Sequence, residues 1–434
     1  MVGATRRGVT RLIAASTIGT TIEFYDFFLY ANAAALVFNK TFFPSQDPLT
    51  GTLLALGTYA VGFVARPIGG MVFGHVGDRH GRRAALVASL LLMGFATTAI
   101  GLLPTYAQVG AVAPVLLTVL RLLQGFALGG EWGGAVLLVA EHGSPDRRGY
   151  WTSWPQTGGP LGNLLCTAVL AVLALTMNEQ AFASWGWRVP FLLSAVLVLI
   201  GWWIRRRVEE SPLFVAARDR AEREGVASST PLVEVLRRDR RGVLIAMLAR
   251  VGENAAFYMF TTFLVVYVTQ VLNLPRSLAL NAVTLASVVQ IAGILGFGAL
   301  SDRFGRRPIA IVGAIGAGVW AFPFFTLVNQ GTALAITAAV VIGLGFHAVI
   351  AGAQAAFFAE LFGTRVRYSG ASVGYQLGSV LGGALAPIVA IALLRSYGST
   401  LAVSAYIAAM ALLTVVGMAV ARETRHRDLA QLDR

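Results

Sequence analysis

The ten residues from Gly74 to Arg83 read Gly-His-Val-Gly-Asp-Arg-His-Gly-Arg-Arg, and a matching stretch, Gly-Ala-Leu-Ser-Asp-Arg-Phe-Gly-Arg-Arg, runs from Gly298 to Arg307. Gly74, Asp78, Arg79, Gly81, Arg82 and Arg83 recur 224 positions later as Gly298, Asp302, Arg303, Gly305, Arg306 and Arg307. A repeat at about half of a 434-residue chain predicts two similar halves. A second match supports the duplication: Gln156, Gly158 and Gly162 recur as Gln376, Gly378 and Gly382, and Gly125-Phe126 as Gly345-Phe346, both at an offset of 220.

Each copy lies between long apolar runs. With 56% hydrophobic and only 13% charged residues, the chain is too apolar for a soluble globule and suits a polytopic helical membrane protein. The net charge of +13 does not indicate nucleic acid, because the cations are sorted by side and no soluble basic face is present. Of 34 Lys and Arg, 27 fall in termini and loops on the side of Arg79, four opposite (Lys40, Arg188, Arg276, Arg395) and three within spans (Arg66, Arg121, Arg250). That asymmetry predicts a cytoplasmic side holding both termini. Met1 to Arg11 is short and basic and leads into a span that carries acids, which reads as a first helix and not a cleaved signal. The single cysteine, Cys166, lies in an apolar run and reads as a packing residue.

Charge and Gly/Pro breaks give spans at 12–38, 52–73, 84–103, 112–140, 150–175, 187–204, 242–271, 278–300, 308–328, 333–360, 369–394 and 400–421. The expected fold is all-α: twelve transmembrane helices in two six-helix bundles related by pseudo-two-fold symmetry. The N-terminal bundle is 1–204, a polar stretch broken by Pro212 and Pro231 is a cytoplasmic linker, partly surface helix, at 205–241, and the C-terminal bundle with a short tail is 242–434.

The repeated stretches read as tight glycine turns whose aspartates take ion pairs or helix N-termini across the junction between halves. Glu141 and Glu360 close spans four and ten on the same side, followed by Arg147-Arg148-Gly149 and Arg365-Val366-Arg367. The expected charge latch between bundles is therefore Asp78, Arg79, Arg82, Arg83, Glu141, Arg148, Asp302, Arg303, Arg306, Arg307, Glu360 and Arg367.

An ionisable group in a span costs roughly 2.5 to 3.5 kcal/mol, so each needs a partner or a function. Glu23 and Asp26 stand three apart in span one, and Arg121, with Gln124 a turn later, is the expected counter-ion in span four. The proton-coupling expectation is that Asp26 pairs with Arg121 when ionised and releases it when protonated, with Glu23 as the second acid; a permanent structural salt bridge is the alternative. Arg66 in span two neutralises Glu23, pairs with Glu131 or meets an anionic substrate. In span seven Arg250 and Glu253 either satisfy each other or leave Arg250 free to fork a substrate carboxylate. His347 sits near the repeat position of Arg121. Tyr25, Arg66, Gln124, Glu131, Trp154, Gln156, Arg250, Glu253, Asn254, Tyr258, His347, Tyr375 and Gln376 are the substrate-contact candidates, with Trp151 equally suited to interfacial anchoring.

The repeated ten residues resemble the loop signature of the major facilitator superfamily. Ile22-Glu23-Phe24-Tyr25-Asp26-Phe27, Arg66-Pro67, Gly129-Gly130-Glu131, Gly186-Trp187-Arg188-Val189-Pro190-Phe191 and Arg367-Tyr368-Ser369-Gly370 resemble its metabolite:H+ symporter family. The run from Ala33 to Pro44 looks closest to the shikimate-transporter-like branch, and the short tail is unlike the long coiled coil of some osmosensing proline/betaine carriers. The resemblance implies a monomeric bacterial inner-membrane carrier taking up a small polar metabolite, an organic acid by preference, with the proton as coupling ion. The sequence offers no nucleotide loop, no metal-ligand cluster and no paired-carboxylate cleft on a soluble domain, so no cofactor, no metal and no enzymatic activity are expected. An efflux antiporter is the first alternative, although Gly158-Gly159-Pro160-Leu161-Gly162-Asn163 only partly resembles the drug-antiporter signature. A metabolite sensor that does not transport is the second.

Overall fold

The computed structural model describes residues 6–44, 48–206, 239–364 and 366–429, with 210–211, 214–216 and the single positions 219, 223, 235 and 237 between them. Most of the expected linker, including its surface helix, lies outside the described residues.

Helices carry nearly all of the described chain. In the first half they are α1 (Arg6–Ala33), α2 (Pro48–His80), α3 (Arg82–Leu102), α4 (Val112–His142), α5 in two pieces (Arg148–Gln156 and Gly158–Thr176) and α6 (Arg188–Arg205). In the second half they are α7 (Arg240–Val271), α8 (Arg276–Phe304), α9 (Arg306–Val328), α10 (Ala333–Leu361), α11 (Arg367–Tyr397) and α12 (Thr400–Val420). Ten of these bodies are long and apolar enough to cross a membrane; α1 and α2 pack with them in the first bundle.

Packing repeats as the sequence does. Helix α2 lies on α4, α1 on α5 and α3 on α6, and correspondingly α8 lies on α10, α7 on α11 and α9 on α12. The halves meet through α2 against α11 and α5 against α8. Large apolar side chains face outward on α3 (Leu91, Phe95), α4 (Val115, Val119), α9 (Val312, Val319) and α12 (Leu401, Leu412). A soluble protein would bury such surface, whereas hydrocarbon receives it at no cost.

Two expectations are corrected. The repeated stretches are not loops: helix continues through His80 and Phe304, and only Gly81 (φ +107°) and Gly305 (φ +102°) break it before Arg82 and Arg306 begin the next helix. Those φ values fall where a Cβ is strained, which accounts for both glycines. Their arginines therefore sit on helix ends with fixed directions. Arg205, assigned to the linker, is instead the last residue of α6 and is 3% exposed, turned into the first bundle.

Close crossing of α2 and α4 also depends on glycine. A Cβ on Gly125 would lie 1.9 Å from the Gly62 carbonyl oxygen, and one on Gly69 would lie 1.8 Å from that of Phe126. Gly125→Leu is expected to lower the thermal midpoint in detergent, since overpacking costs about 1–3 kcal/mol. Gly296→Ala, with nothing within 4 Å, should leave it unchanged or slightly raised. Equal midpoints for the two variants would contradict the close-crossing account.

Candidate functional site

A polar cavity of about 60 Å³ lies between the halves. Ten sequence candidates line it: Arg66, Glu131, Gln156, Arg250, Glu253, Asn254, Tyr258, His347, Tyr375 and Gln376. At one end the rings of Trp132 (α4) and Tyr375 (α11) stack at 3.7 Å between centroids, joining the halves. Toward the other end the cavity shares Pro160 and Phe257 with a vestibule of about 350 Å³ lined by Asn32, Tyr59, Asn163, Arg276 and Ser287 among others. Phe28 and Phe257 narrow the passage, with ring centroids 6.3 Å apart. The space is thus closed toward the Gly81 and Gly305 end and continuous with the vestibule at the opposite end.

The second-half wall is internally satisfied. Arg250 donates to Glu253, to Asn254 Oδ1 at 3.2 Å and to Ser379 Oγ at 3.4 Å, and lies 3.9 Å over the Tyr375 ring. His347 Nε2 stands 2.7 Å from Glu253 Oε1, while its Nδ1 is 2.7 Å from Gln290 Nε2. The open choice for Arg250 falls to pairing with Glu253. Arg66 differs. Its guanidinium lies 3.9 Å over Phe63 and 4.4 Å over Phe27, while Nε and Nη2 are buried without a hydrogen-bond partner. No carboxylate among the described residues pairs with it, so neither Glu23 nor Glu131 neutralises it.

The direct Asp26 to Arg121 pair is not formed. Asp26, fully buried, accepts hydrogen bonds from Ser194 and from Thr97 Oγ1 at 2.9 Å. Arg121 donates to Gln124 Oε1 at 3.1 Å and lies 4.2 Å over Tyr30 and 4.8 Å over Tyr59. Gln124 Nε2 donates to Thr97 at 2.8 Å, so a chain of neutral groups joins the two charges. Neither residue lines the cavity, nor does Gln124. The expectation failed because helix spacing says which residues share a face but not which hydroxyls from α3 and α6 arrive first. Tyr25 also points away, donating to the Pro190 carbonyl at 2.9 Å, and Trp154 packs on Tyr150 outside the cavity.

Glu23 and Glu131 instead share Arg205. Its Nη1 donates to Glu23 Oε1 at 3.3 Å and to the Leu86 carbonyl at 2.8 Å, and its Nη2 donates to Glu131 Oε1. Sequence reasoning missed Arg205 because it looked like linker. It also missed Gln290, visible only as the one glutamine in span eight, and Trp132, adjacent to Glu131 in the quoted motif.

At the closed end the repeat becomes a matched pair of clamps. Asp78 pairs with Arg82 at 2.5 Å and accepts from the backbone N–H groups of Tyr368 (3.2 Å) and Ser369 (2.9 Å), which start α11 in the other half. Asp302 pairs with Arg306 at 2.7 Å and accepts from the N–H groups of Gly149 (2.7 Å) and Tyr150 (2.9 Å), which start α5. Glu141 receives Arg367 at 2.8 Å and Arg82 at 3.6 Å, and Glu360 receives Arg148 at 3.0 Å and Arg306 at 3.1 Å. The other four expected arginines are corrected. Arg79 and Arg303 are exposed outside this network. Arg83 and Arg307 hold carbonyls of Arg206 and of Met418 and Ala419 within their own halves. Glu210 caps the start of α3 and Glu423 that of α9, a symmetry absent from the sequence expectations. Burial pushes the Glu423 carboxyl up, yet N–H groups of Arg425, Arg306, Arg307 and Thr424 outweigh it and hold it below the usual carboxylate range.

Two six-helix halves around a polar cavity, clamped at one end and open at the other, define a multi-pass membrane transporter of small molecules. The chain belongs to the Major Facilitator Superfamily, whose family model matches residues 17–374 and 272–433, and within it to the metabolite:H+ symporter family. It is 41% identical to the inner membrane metabolite transport protein YhjE of Escherichia coli K12, covering 96% of this chain and 95% of that one. It is 40% identical to the shikimate transporter of the same strain, covering 94% and 93%. Among solved structures it resembles the proton:xylose symporter XylE bound to 6-bromo-6-deoxy-D-glucose, with a TM-score of 0.82, 16% identity and 99% coverage of both chains.

The clamps give a direct test. Ser153→Cys places a thiol where Ser153 packs against Gly298, the α5 and α8 crossing at the closed end. Adding Glu360→Gln weakens pairing with both Arg148 and Arg306, and charged hydrogen bonds are worth about 1.5–3 kcal/mol each. Labelling by a polar thiol reagent should accelerate roughly ten- to hundredfold. An unchanged rate would show that the Glu360 carboxylate does not hold that end shut.

Proposed function

We propose that the protein imports a small organic anion, coupled to proton entry, by alternating access, with both termini in the bacterial cytoplasm. The cationic end that carries the clamps is the cytoplasmic side by the positive-inside rule. The structure is then the outward-open state: substrate enters through the vestibule, meets the central cavity and leaves after the clamps part. The bundles act as a monomeric unit, since each clamp joins the two halves of one chain.

Arg66 is the observation that carries the substrate class. A guanidinium with two buried unpartnered N–H groups is costly as it stands, and a bound carboxylate compensates both charge and hydrogen bonds in a planar, two-pronged contact. Its seat against Phe27 and Phe63 restricts the guanidinium plane, and the residue lines the cavity. The E. coli relative named a shikimate transporter agrees with a carboxylic acid as cargo. Glu23 and Asp26, both buried on α1, supply groups able to take the coupling proton. An ion gradient suffices as energy source, since a proton crossing 100 mV releases about 2.3 kcal/mol.

Purified protein in liposomes should concentrate one or more labelled carboxylic acids, shikimate among those offered, only when the outside is more acidic, and a protonophore should abolish the accumulation. Expulsion under the same gradient would establish an antiporter, and binding without flux a sensor. Arg66→Ala should weaken substrate affinity roughly ten- to hundredfold, the worth of a charged hydrogen bond or two. Arg66→Lys should recover only part, because an ammonium cannot form the paired contact. Unaltered affinity in Arg66→Ala would remove the anion site.

A further inference from the structure

The two halves of the cavity wall differ in how their charges balance. In the second half one carboxylate, Glu253, faces Arg250 and His347. In the first half two carboxylates, Glu23 from α1 and Glu131 from α4, meet one guanidinium, Arg205 from α6. Both acids are 1% exposed, and the second oxygen of each, Oε2, is buried without a hydrogen-bond partner. With both ionised the cluster would carry a net negative charge in a place nearly free of water, and like charges sharing such a site do not both ionise.

We propose that Glu23 and Glu131 together hold one proton, which is the coupling proton, and that Arg205 fixes the count at one by neutralising the other carboxylate. This deepens the proposed proton-coupled uptake and rests on it. The proton moves between carboxyl oxygens and water with no change of oxidation state. Gain neutralises the cluster, and loss returns its negative charge.

The surroundings match that use. Glu131 lines the substrate cavity, so it is the member of the cluster that stands beside the space the cargo enters. Gly19 lets Arg205 in: a Cβ there would lie 2.0 Å from Arg205 Nη2, on the helix that carries Glu23. On the far side of Arg205 a hole of about 10 Å³, bounded by Ala15, Ser16, Arg83, Leu86 and Leu138, leads toward the clamp end. That is room for about one water. The proton thus enters from the cavity and has an exit within the first bundle, apart from the path the substrate takes between bundles.

Among the described residues, the neighbouring groups fit this count. Thr20 of α1 donates to Glu131 at 3.3 Å, α3 offers the Leu86 carbonyl and Arg83, and Tyr368 of α11 commits its hydroxyl to the Gly130 carbonyl. Across the cavity, Arg66 of α2 lies over the Phe27 and Phe63 rings, while Arg250 of α7 and His347 of α10 are committed to Glu253. Asp26, one turn along α1, has two hydroxyl donors and no cavity face, so it is not the entry point.

A shared proton has a signature that separate acids lack: removing either carboxyl leaves the other paired one-to-one with Arg205 and abolishes the proton. Infrared difference spectra of the purified protein in lipid, recorded as pH is raised, should show a protonated-carboxyl carbonyl component being lost. That component should be absent in Glu23→Gln and, separately, in Glu131→Gln, and present in Asp26→Asn. Its persistence in either glutamine variant overturns the proposal. Transport supplies a second readout in the same isosteric variants. Across a one-unit pH gradient with the voltage clamped, wild-type protein should reach about tenfold accumulation. Glu131→Gln should reach no accumulation while still exchanging labelled for unlabelled acid, which also proves it folded. Full accumulation in Glu131→Gln refutes the site, whereas no accumulation in wild-type protein refutes proton coupling itself and leaves the spectra to judge the shared proton.

Discussion

Each half of the molecule ends a helix with an aspartate that holds the start of a helix in the other half. Asp78 takes the N–H groups that begin α11, and Asp302 takes those that begin α5. The start of a helix presents unpaired donors and a partial positive charge, so a buried carboxylate there satisfies both partners without a second side chain. Arg82 and Arg306 balance the remaining charge, and Glu141 and Glu360 link each arginine to its counterpart beyond the junction. The closed end, and hence the shape of everything above it, depends on these contacts.

Both clamps are ionic and hydrogen-bonded, and they sit beside an apolar contact between the halves in which Trp132 meets Phe358 and Tyr375. Released ionic groups regain water as the halves tilt, which offsets part of the cost of parting them. Glycines keep the crossing shallow enough for this. Gly74 lies against Ser369, Gly77 against Tyr368 and Gly298 against Ser153, so backbones touch and little side-chain interlocking opposes motion. Above the clamps the stacked Trp132 and Tyr375 form a floor, Arg66 and Glu131 face the space over it from one half, and Glu131 connects that space to Arg205 and Glu23 behind it.

Much of this was legible in the chain. Apolar runs and their breaks located the helices, most of them to within a few residues, because hydrocarbon thickness and arginine cost constrain spans tightly; α2 runs well past its expected end, through the repeated motif to His80. Ten of the thirteen expected contact residues line the cavity, since polar side chains in a span have few other places to go. Pairing was another matter. Asp26 was matched to Arg121 on charge, yet Thr97 and Ser194 from two other helices satisfy it, and Arg121 finds aromatic rings.

Sequence by itself determined the duplication, the membrane-spanning helices, the family and the identity of the clamp aspartates, because each is written in local pattern: period, hydropathy and a motif stated twice. Only the tertiary structure decided that Glu23 and Glu131 divide one arginine between them, and that this arginine comes from the edge of what looked like linker. It also decided that Arg66 rather than Arg250 is left with open donors. A charge in hydrocarbon must be balanced by whatever side chain reaches it. Which one does is set by how helices distant in sequence rotate and cross, a property of the assembled bundle that no single segment encodes.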